Sequence, residues 1–362
     1  MTFNRQLLIG VFLTIIIASG VYYYFQQNQL KDIKIGITVA LSGSSAALGQ
    51  DSRDGMIMAS EELKDKGVSL SLIFEDDQYD IEKTVTAFNK LLYFDGIRYV
   101  VTFGSGNSLA ICPLAKEKRV FQVAISSDPK VLEYEYTIKV GSDPNEFGKS
   151  LAEEVIRRDY KRIYIIVSNY PAIYAFIDEF QKREGIAGRV IGESKVDLSE
   201  TDFKTVLLKA KESNPDSILL EIIPGRVGIL AKQAREMGIT VPLFAAGVFE
   251  DQTAIDTAGG ALEGQWFVNP EVSASFIKRF QSRFNRIPGR EATNGYDSIM
   301  LIGNAIKEVG DDPVKVNDYL HKILAFDSDS VVGGVRVEKG NFIKVNVVKI
   351  VKGDTFVVYS GP

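Results

Sequence analysis

Cysteine and histidine are nearly missing from this chain, which carries one of each, Cys112 and His321, in 362 residues. A single cysteine excludes an intrachain disulfide. Together the two scarcities exclude a Cys/His zinc site, and they leave no Cys-His nucleophile unless the pair meets in space. Cys112 lies in an apolar stretch, residues 109–114, and reads as a buried structural thiol, while His321 reads as a solvated helix residue. Long basic runs are missing too, and the formal net charge is −5, so no nucleic-acid partner is expected. No complete P-loop occurs. Gly104-Ser105-Gly106 follows a strand, but Leu109 stands where a dinucleotide fingerprint needs its third glycine. The acidic trio Glu75, Asp76 and Asp77 reads as a solvated turn and helix start rather than a Mg²⁺ or Ca²⁺ site. With no metal, no cofactor and no general base in view, an enzyme is not expected.

A long apolar run occurs at the N-terminal end. Arg5 precedes residues 7–25, and Gln26 and Gln27 return the chain to water. Over residues 7–18 the run has the length of a signal-peptide core, with Ala18, Ser19 and Gly20 as a small-residue cleavage site. Over residues 7–25 it is nearly long enough to span a bilayer, with Tyr22, Tyr23 and Tyr24 placed as an interfacial belt, and the uncleaved anchor is the preferred reading. Either way Arg5 on the short side puts the rest of the chain outside the cytoplasm. No cysteine follows the run, so a lipid-modified N-terminal cysteine is excluded.

The remaining length is too great for one ordinary domain and suggests two. From residue 31 short continuous apolar runs (residues 163–167, 217–222 and 241–245) alternate with segments of helical period, as in parallel sheets covered on both faces. Gly67 and Gly238 mark helix ends. After Pro270 the spacing predicts helices over residues 273–285, 292–309 and 316–324, then strands over 331–337, 342–351 and 356–359. The expected fold is α/β, with two doubly wound parallel-sheet lobes joined by a hinge of several crossings. Residues 1–30 form the leader or anchor, residues 31–142 and 270–342 one lobe, and residues 143–269 and 343–362 the other. Three strand ends run into small hydroxyl residues: Ser42, then Ser105 beside Gly106, then Ser126 and Ser127. Ligands favour the crevice outside the carboxyl ends of such strands, where backbone N–H groups point. An activated serine needs a base, so hydrogen-bond donation to a carboxylate or similar group is the better role.

The order of these motifs resembles the solute-binding proteins that serve branched-chain amino acid ABC transporters. The likeness runs from Leu41-Ser42-Gly43 and Asp54-Gly55, through Gly104-Ser105-Gly106 and Ser126-Ser127-Asp128-Pro129, to Ser168-Asn169-Tyr170. It continues in Phe276, Phe280 and Phe284, in Gly295-Tyr296-Asp297 and in Val332-Gly333-Gly334. The resemblance covers residues 31–359 and implies a type I bilobal fold, hinge closure on a small polar solute, and a membrane permease as partner. It implies that Ser105 and Ser127 hold a ligand carboxylate and that Tyr170 closes over it. The amino-acid-binding members place an acid against the ligand ammonium where Gly247 stands here, which leaves Glu221 and Glu250 as the nearest replacements. A membrane-tethered sensor or envelope interaction protein is the alternative on the same fold.

Overall fold

Val, Ile and Phe crowd the runs that become strands, because a strand covered on both sides needs apolar side chains on both. A computed structural model describes residues 32–43, 45–223 and 225–359; the apolar run at residues 7–25 lies outside them. Among the described residues no helix is long and apolar enough to cross a membrane. β1 (Ile33–Val39), β2 (Leu70–Asp76), β3 (Tyr99–Phe103), β4 (Phe121–Ile125) and β5 (Thr137–Val140) run parallel. A second parallel set comprises β6 (Ile163–Ser168), β7 (Val190–Val196), β8 (Ser217–Glu221), β9 (Leu243–Ala245) and β10 (Trp266–Pro270). The late strands are β11 (Ala325–Phe326), β12 (Val335–Glu338), β13 (Asn341–Lys344), β14 (Asn346–Lys352) and β15 (Thr355–Val358). They divide between two sheets, ordered β11-β12-β13-β5-β4-β3-β1-β2 and β15-β14-β10-β9-β8-β6-β7.

Both sheets are doubly wound. One face of the first packs on α1 (Ala46–Asp65), α9 (Ala274–Phe284), α10 (Arg290–Val309) and α11 (Pro313–Lys322), around Met56, Phe276, Tyr296 and Val316. Its other face packs on α2 (Ile81–Lys90) and α3 (Ser105–Lys118) through Phe88, Val100 and Ile111. The second sheet lies between α4 (Pro144–Arg157) with α5 (Pro171–Gln181) on one side and α6 (Lys204–Glu212), α7 (Val227–Glu236) and α8 (Gln252–Ala258) on the other. Helix punctuation follows the residues: Gly67 and Gly238 have φ of +87° and +72°, and the Ser273 hydroxyl accepts from Phe276 N at 3.1 Å to start α9.

The closing strands differ from their sequence pattern. The apolar run at residues 342–351 is not one strand, because Phe342 pairs in parallel beside Val140 of the first sheet while Val348 pairs antiparallel beside Val268 of the second. The chain changes sheets at Val345. Val331 makes only an isolated bridge to Val272, and β12 begins at Val335. The sheets are therefore mixed, with antiparallel pairs at β10/β14, β14/β15, β11/β12 and β12/β13. Residues 141–143 and 271–273 make the other two crossings. Ion pairs of buried lysines brace all three: Lys139 with Asp143 at 3.6 Å, Lys344 with Asp297 at 2.8 Å, and Lys349 with Glu250 at 2.7 Å and Glu271 at 2.6 Å.

One helix contact fixes the entrance of α10. A methyl on Gly55 would lie 2.0 Å from the Ala292 carbonyl oxygen, and one on Gly295 2.0 Å from that of Ser52, so α1 and α10 touch backbone to backbone. Asp51 then fastens the turn ahead of α10, accepting from Arg286 Nη1 at 2.7 Å, Gly289 N at 3.1 Å and Ala292 N at 2.8 Å. Arg290 and Glu291 are thereby held at the start of the helix.

Candidate functional site

β3 and β4 are hydrogen-bonded neighbours, so the loops at their carboxyl ends must also be neighbours. Ser105 Oγ lies 3.2 Å from Ser127 Oγ, receives Ser127 N at 3.2 Å and receives Ser126 Oγ at 3.2 Å. The three serines form one cluster at the start of α3, where the first-turn amides, Gly106 among them, have no intrahelical acceptor. Gly104 ahead of them has φ +99°, and a Cβ there would meet the Tyr79 ring at 2.6 Å. Only glycine allows that turn with tyrosine lying across it. Tyr79 itself holds a left-handed φ of +63°, and burial pushes its hydroxyl pKa up to about 12.

Facing Ser127 across a cavity of about 340 Å³ are the ends of β8 and β9. Ser127 lines it from the first sheet; Glu221, Gly247 and Asn269 line it from the second, with Arg290 at the start of α10. Glu221 ends β8 and is 3% exposed. Ala246 N donates to its Oε1, and burial pushes its pKa up to about 8 against that bond and the charge of Arg290. Asn269 donates through Nδ2 to Glu250 Oε2 at 2.6 Å, which turns its Oδ1 toward Gly247, where a Cβ would lie 3.0 Å away. That Oδ1 is buried without a hydrogen-bond partner. The Asn269 amide thus occupies the space in front of Gly247.

A second cavity, about 680 Å³, adjoins the first through Ser142, Glu250, Asn269 and Arg290 and is walled by all three crossings. Its lysines are engaged in the hinge ion pairs, and the rest of its wall is mainly apolar, including Phe147, Val272, Ile287 and Phe356. The smaller cavity lies at the converging strand ends, with Ser127 on one wall and Glu221 on the other, which makes it the candidate binding site.

The sequence-selected residues fall in three groups. Ser105, Ser126 and Ser127 come together, and Ser127, Glu221 and Glu250 line one cavity. Glu221 and Glu250 are not solvated loop residues: the first is buried, and the second is fixed between Lys349 and Asn269. Tyr170 stands just ahead of α5, is 39% exposed, and lies near enough to Tyr79 to add to the rise of the Tyr79 phenol. Ser42 does not join the serines, since its hydroxyl donates to Asp76 Oδ2 at 2.6 Å and ties β1 to β2. The acidic trio is engaged in structure: Glu75 pairs with Lys90 at 2.7 Å, Asp76 holds the Ser42 turn, and Asp77 accepts from Thr84 Oγ1 at 2.9 Å and Asn107 Nδ2 at 3.2 Å. Cys112 is buried, as its apolar surroundings indicate. Sequence reading missed Tyr79, Asn269 and Arg290.

A cleft between two doubly wound sheets, open where their strands end and bridged by three crossings, defines a bilobal solute-binding protein. The chain belongs to the periplasmic binding protein family, whose sequence profile matches residues 32–352. It is 24% identical over 340 residues to Leu/Ile/Val-binding protein homolog 2 of Brucella abortus, covering 86% of this chain and 87% of that one. Its fold is similar to that of an isoleucine-complexed branched-chain amino acid transporter substrate-binding protein from Streptococcus pneumoniae (TM-score 0.78, 21% identity, 90% of this chain and 98% of the other). It is also similar to an ABC transporter solute-binding protein from Rhodopseudomonas palustris in complex with 3,4-dihydroxybenzoic acid (TM-score 0.78, 19% identity, 90% and 96%).

Proposed function

We propose that this protein is the extracytoplasmic receptor of an ABC-type importer and closes its two sheets, as lobes, over a small polar organic solute. The observation that carries this reading is the cavity of about 340 Å³ with Ser127 on one wall and Glu221 on the other. Ser105, Ser126 and Ser127, with the first amides of α3, form an anion seat that suits a carboxylate, each charge-assisted hydrogen bond contributing roughly 1.5–3 kcal/mol. Tyr170 covers the ligand from the second lobe. Closure follows from contacts that exist only when both walls meet the ligand, and the three braced crossings confine the motion to a hinge. The closed form is what a membrane permease reads. Residues 7–25 either direct export and are removed or tether the receptor beside that permease.

Calorimetric titration of the purified chain with amino acids, amides, and aliphatic and aromatic carboxylates tests the assignment. Saturable binding of a member of these classes is expected, with a rise in melting temperature. Absence of binding across all of them refutes it.

A further inference from the structure

We propose that Tyr93 and Phe94 dip into the outer surface of the bilayer and hold the first sheet against the membrane, the partner being the lipid surface itself. This rests on the tethered reading of residues 7–25 given above and says which face of the receptor that tether presents.

α2 runs on into a π turn, Leu91–Asp95, which closes at Gly96 with a left-handed φ of +69°. The wide turn divides its apolar residues between two surroundings. Leu91 is fully buried and Leu92 packs beside it in the cluster of Phe88, Val100 and Ile111, whereas Tyr93 is 66% and Phe94 87% exposed. Phe94 is the most exposed large apolar side chain among the described residues. Two adjacent aromatic rings held out in water by a well-packed turn mark a contact surface.

The position of the turn decides the partner. Lys34, the second residue of β1, donates through Nζ to the Asp95 carbonyl oxygen at 2.8 Å. A Cβ on Gly36 would meet Ile97 at 2.6 Å and Leu91 at 3.1 Å, so the turn is clamped on the first strand, where the chain enters the fold. The apolar run stops at Phe25, seven residues before Asp32. Seven residues reach at most about 25 Å. A run kept in the bilayer therefore holds this end of the first sheet within that distance of the lipid, on the side where Tyr22, Tyr23 and Tyr24 mark the interface.

The rim of the patch suits headgroups. Lys118 lies within reach of the Tyr93 hydroxyl, and its stem covers apolar surface while its ammonium stays in water. Glu117 pairs with Lys118 at 2.8 Å, so insertion of the rings, and not net charge, carries the contact. Ser105 and Ser127 follow the opposite ends of β3 and β4, so a membrane contact here leaves the cleft open and the second sheet free to swing.

The full chain in vesicles of phosphatidylethanolamine and phosphatidylglycerol tests this, because its one tryptophan, Trp266, is 1% exposed in the second sheet and gives a constant background. Phe94→Trp adds an indole to the patch. Exchanging part of the lipid for phosphatidylcholine brominated in mid-chain should quench that added emission by about half, and the emission should lie to the blue of indole in water. Val358→Trp, at a position 48% exposed in the second sheet, should stay unquenched. A chain that floats with the vesicles while the indole of Phe94→Trp emits as in water overturns the patch and leaves the tether standing. Equal quenching in the two variants overturns the patch as well, as does a blue shift that bromine does not quench and that grows with protein density, the sign of a second copy. A chain that does not float with the vesicles overturns tether and patch together.

Discussion

Glu221→Gln should change the dependence of folding stability on pH even when no ligand is present. The folded chain holds the Glu221 proton up to about pH 8, whereas the unfolded chain releases it near the ordinary 4.5. Between those values the folded state binds more protons, so the contribution of this group is fully present below pH 4.5 and declines as pH rises toward 8. At about 1.4 kcal/mol for each pH unit, the loss between pH 4.5 and pH 7 is roughly 3 kcal/mol. Glutamine keeps an oxygen for Ala246 N and cannot ionise. The variant should therefore match the parent protein near pH 5 and exceed it by roughly 3 kcal/mol at pH 7 and somewhat more at pH 8. Urea denaturation of both proteins at pH 5, 7 and 8 reads the difference directly. A stability gap that stays constant across this range would refute the argument, because it would mean the carboxyl ionises in the folded chain as easily as in water.

Three further perturbations probe the frame around the site. Lys344→Met removes the cation facing buried Asp297 at the third crossing and should destabilise the fold by about 3–5 kcal/mol in denaturant titrations; a cost below 1 kcal/mol would show that the pair does not brace the hinge. Ser127→Ala removes one donor from the anion seat and should weaken a carboxylate ligand by about 10- to 100-fold in calorimetry, so unchanged affinity would remove that residue from the site. Gly55→Val inserts carbon against the Ala292 carbonyl, 2.0 Å from the position of a Cβ, and should lower stability by about 3 kcal/mol or more, read as a fall in melting temperature.

Much of this architecture is readable from residues because local chemistry and global fold agree. Continuous apolar runs, glycines at helix ends and Ser273 at a helix start each depend on a few neighbouring residues. The serine cluster is readable for a similar reason: adjacent parallel strands bring their exit loops together, so Ser105 and Ser127 meet once β3 and β4 pair. The switch at Val345 is not readable. Residues 342–351 form one apolar run without glycine or proline, and the break exists only because two different sheets each offer an edge. Tyr79 escapes notice because its place over Gly104 depends on a left-handed turn, not on periodicity. Asn269 is hidden inside the apolar strand β10, where a lone amide carries no pattern.

Glu221 shows why burial, and not residue type, decides the chemistry of the cleft. An acid at the end of a predicted strand, followed in sequence by Ile222, Ile223, a proline and a glycine, has the appearance of a residue turning toward water. The structure buries it in the second sheet's wall of the cavity, one strand from Gly247 and the Asn269 amide. A side chain at position 247 would compete with that amide, so a glycine there and an acid one strand away are parts of the same arrangement. A loop acid stays hydrated and charged, whereas Glu221, buried at 3% exposure, holds its proton until well above the ordinary carboxyl range. The cleft then carries less uncompensated charge. A solute that sets a cation against Glu221 should therefore bind more tightly as pH rises toward about 8, and an anionic solute without one should bind less tightly. Dissociation constants measured from pH 6 to pH 9 for the solute that binds should show one slope or the other in the parent protein and a flat line in Glu221→Gln; a flat line in both would mean that the carboxyl does not change its charge over this range.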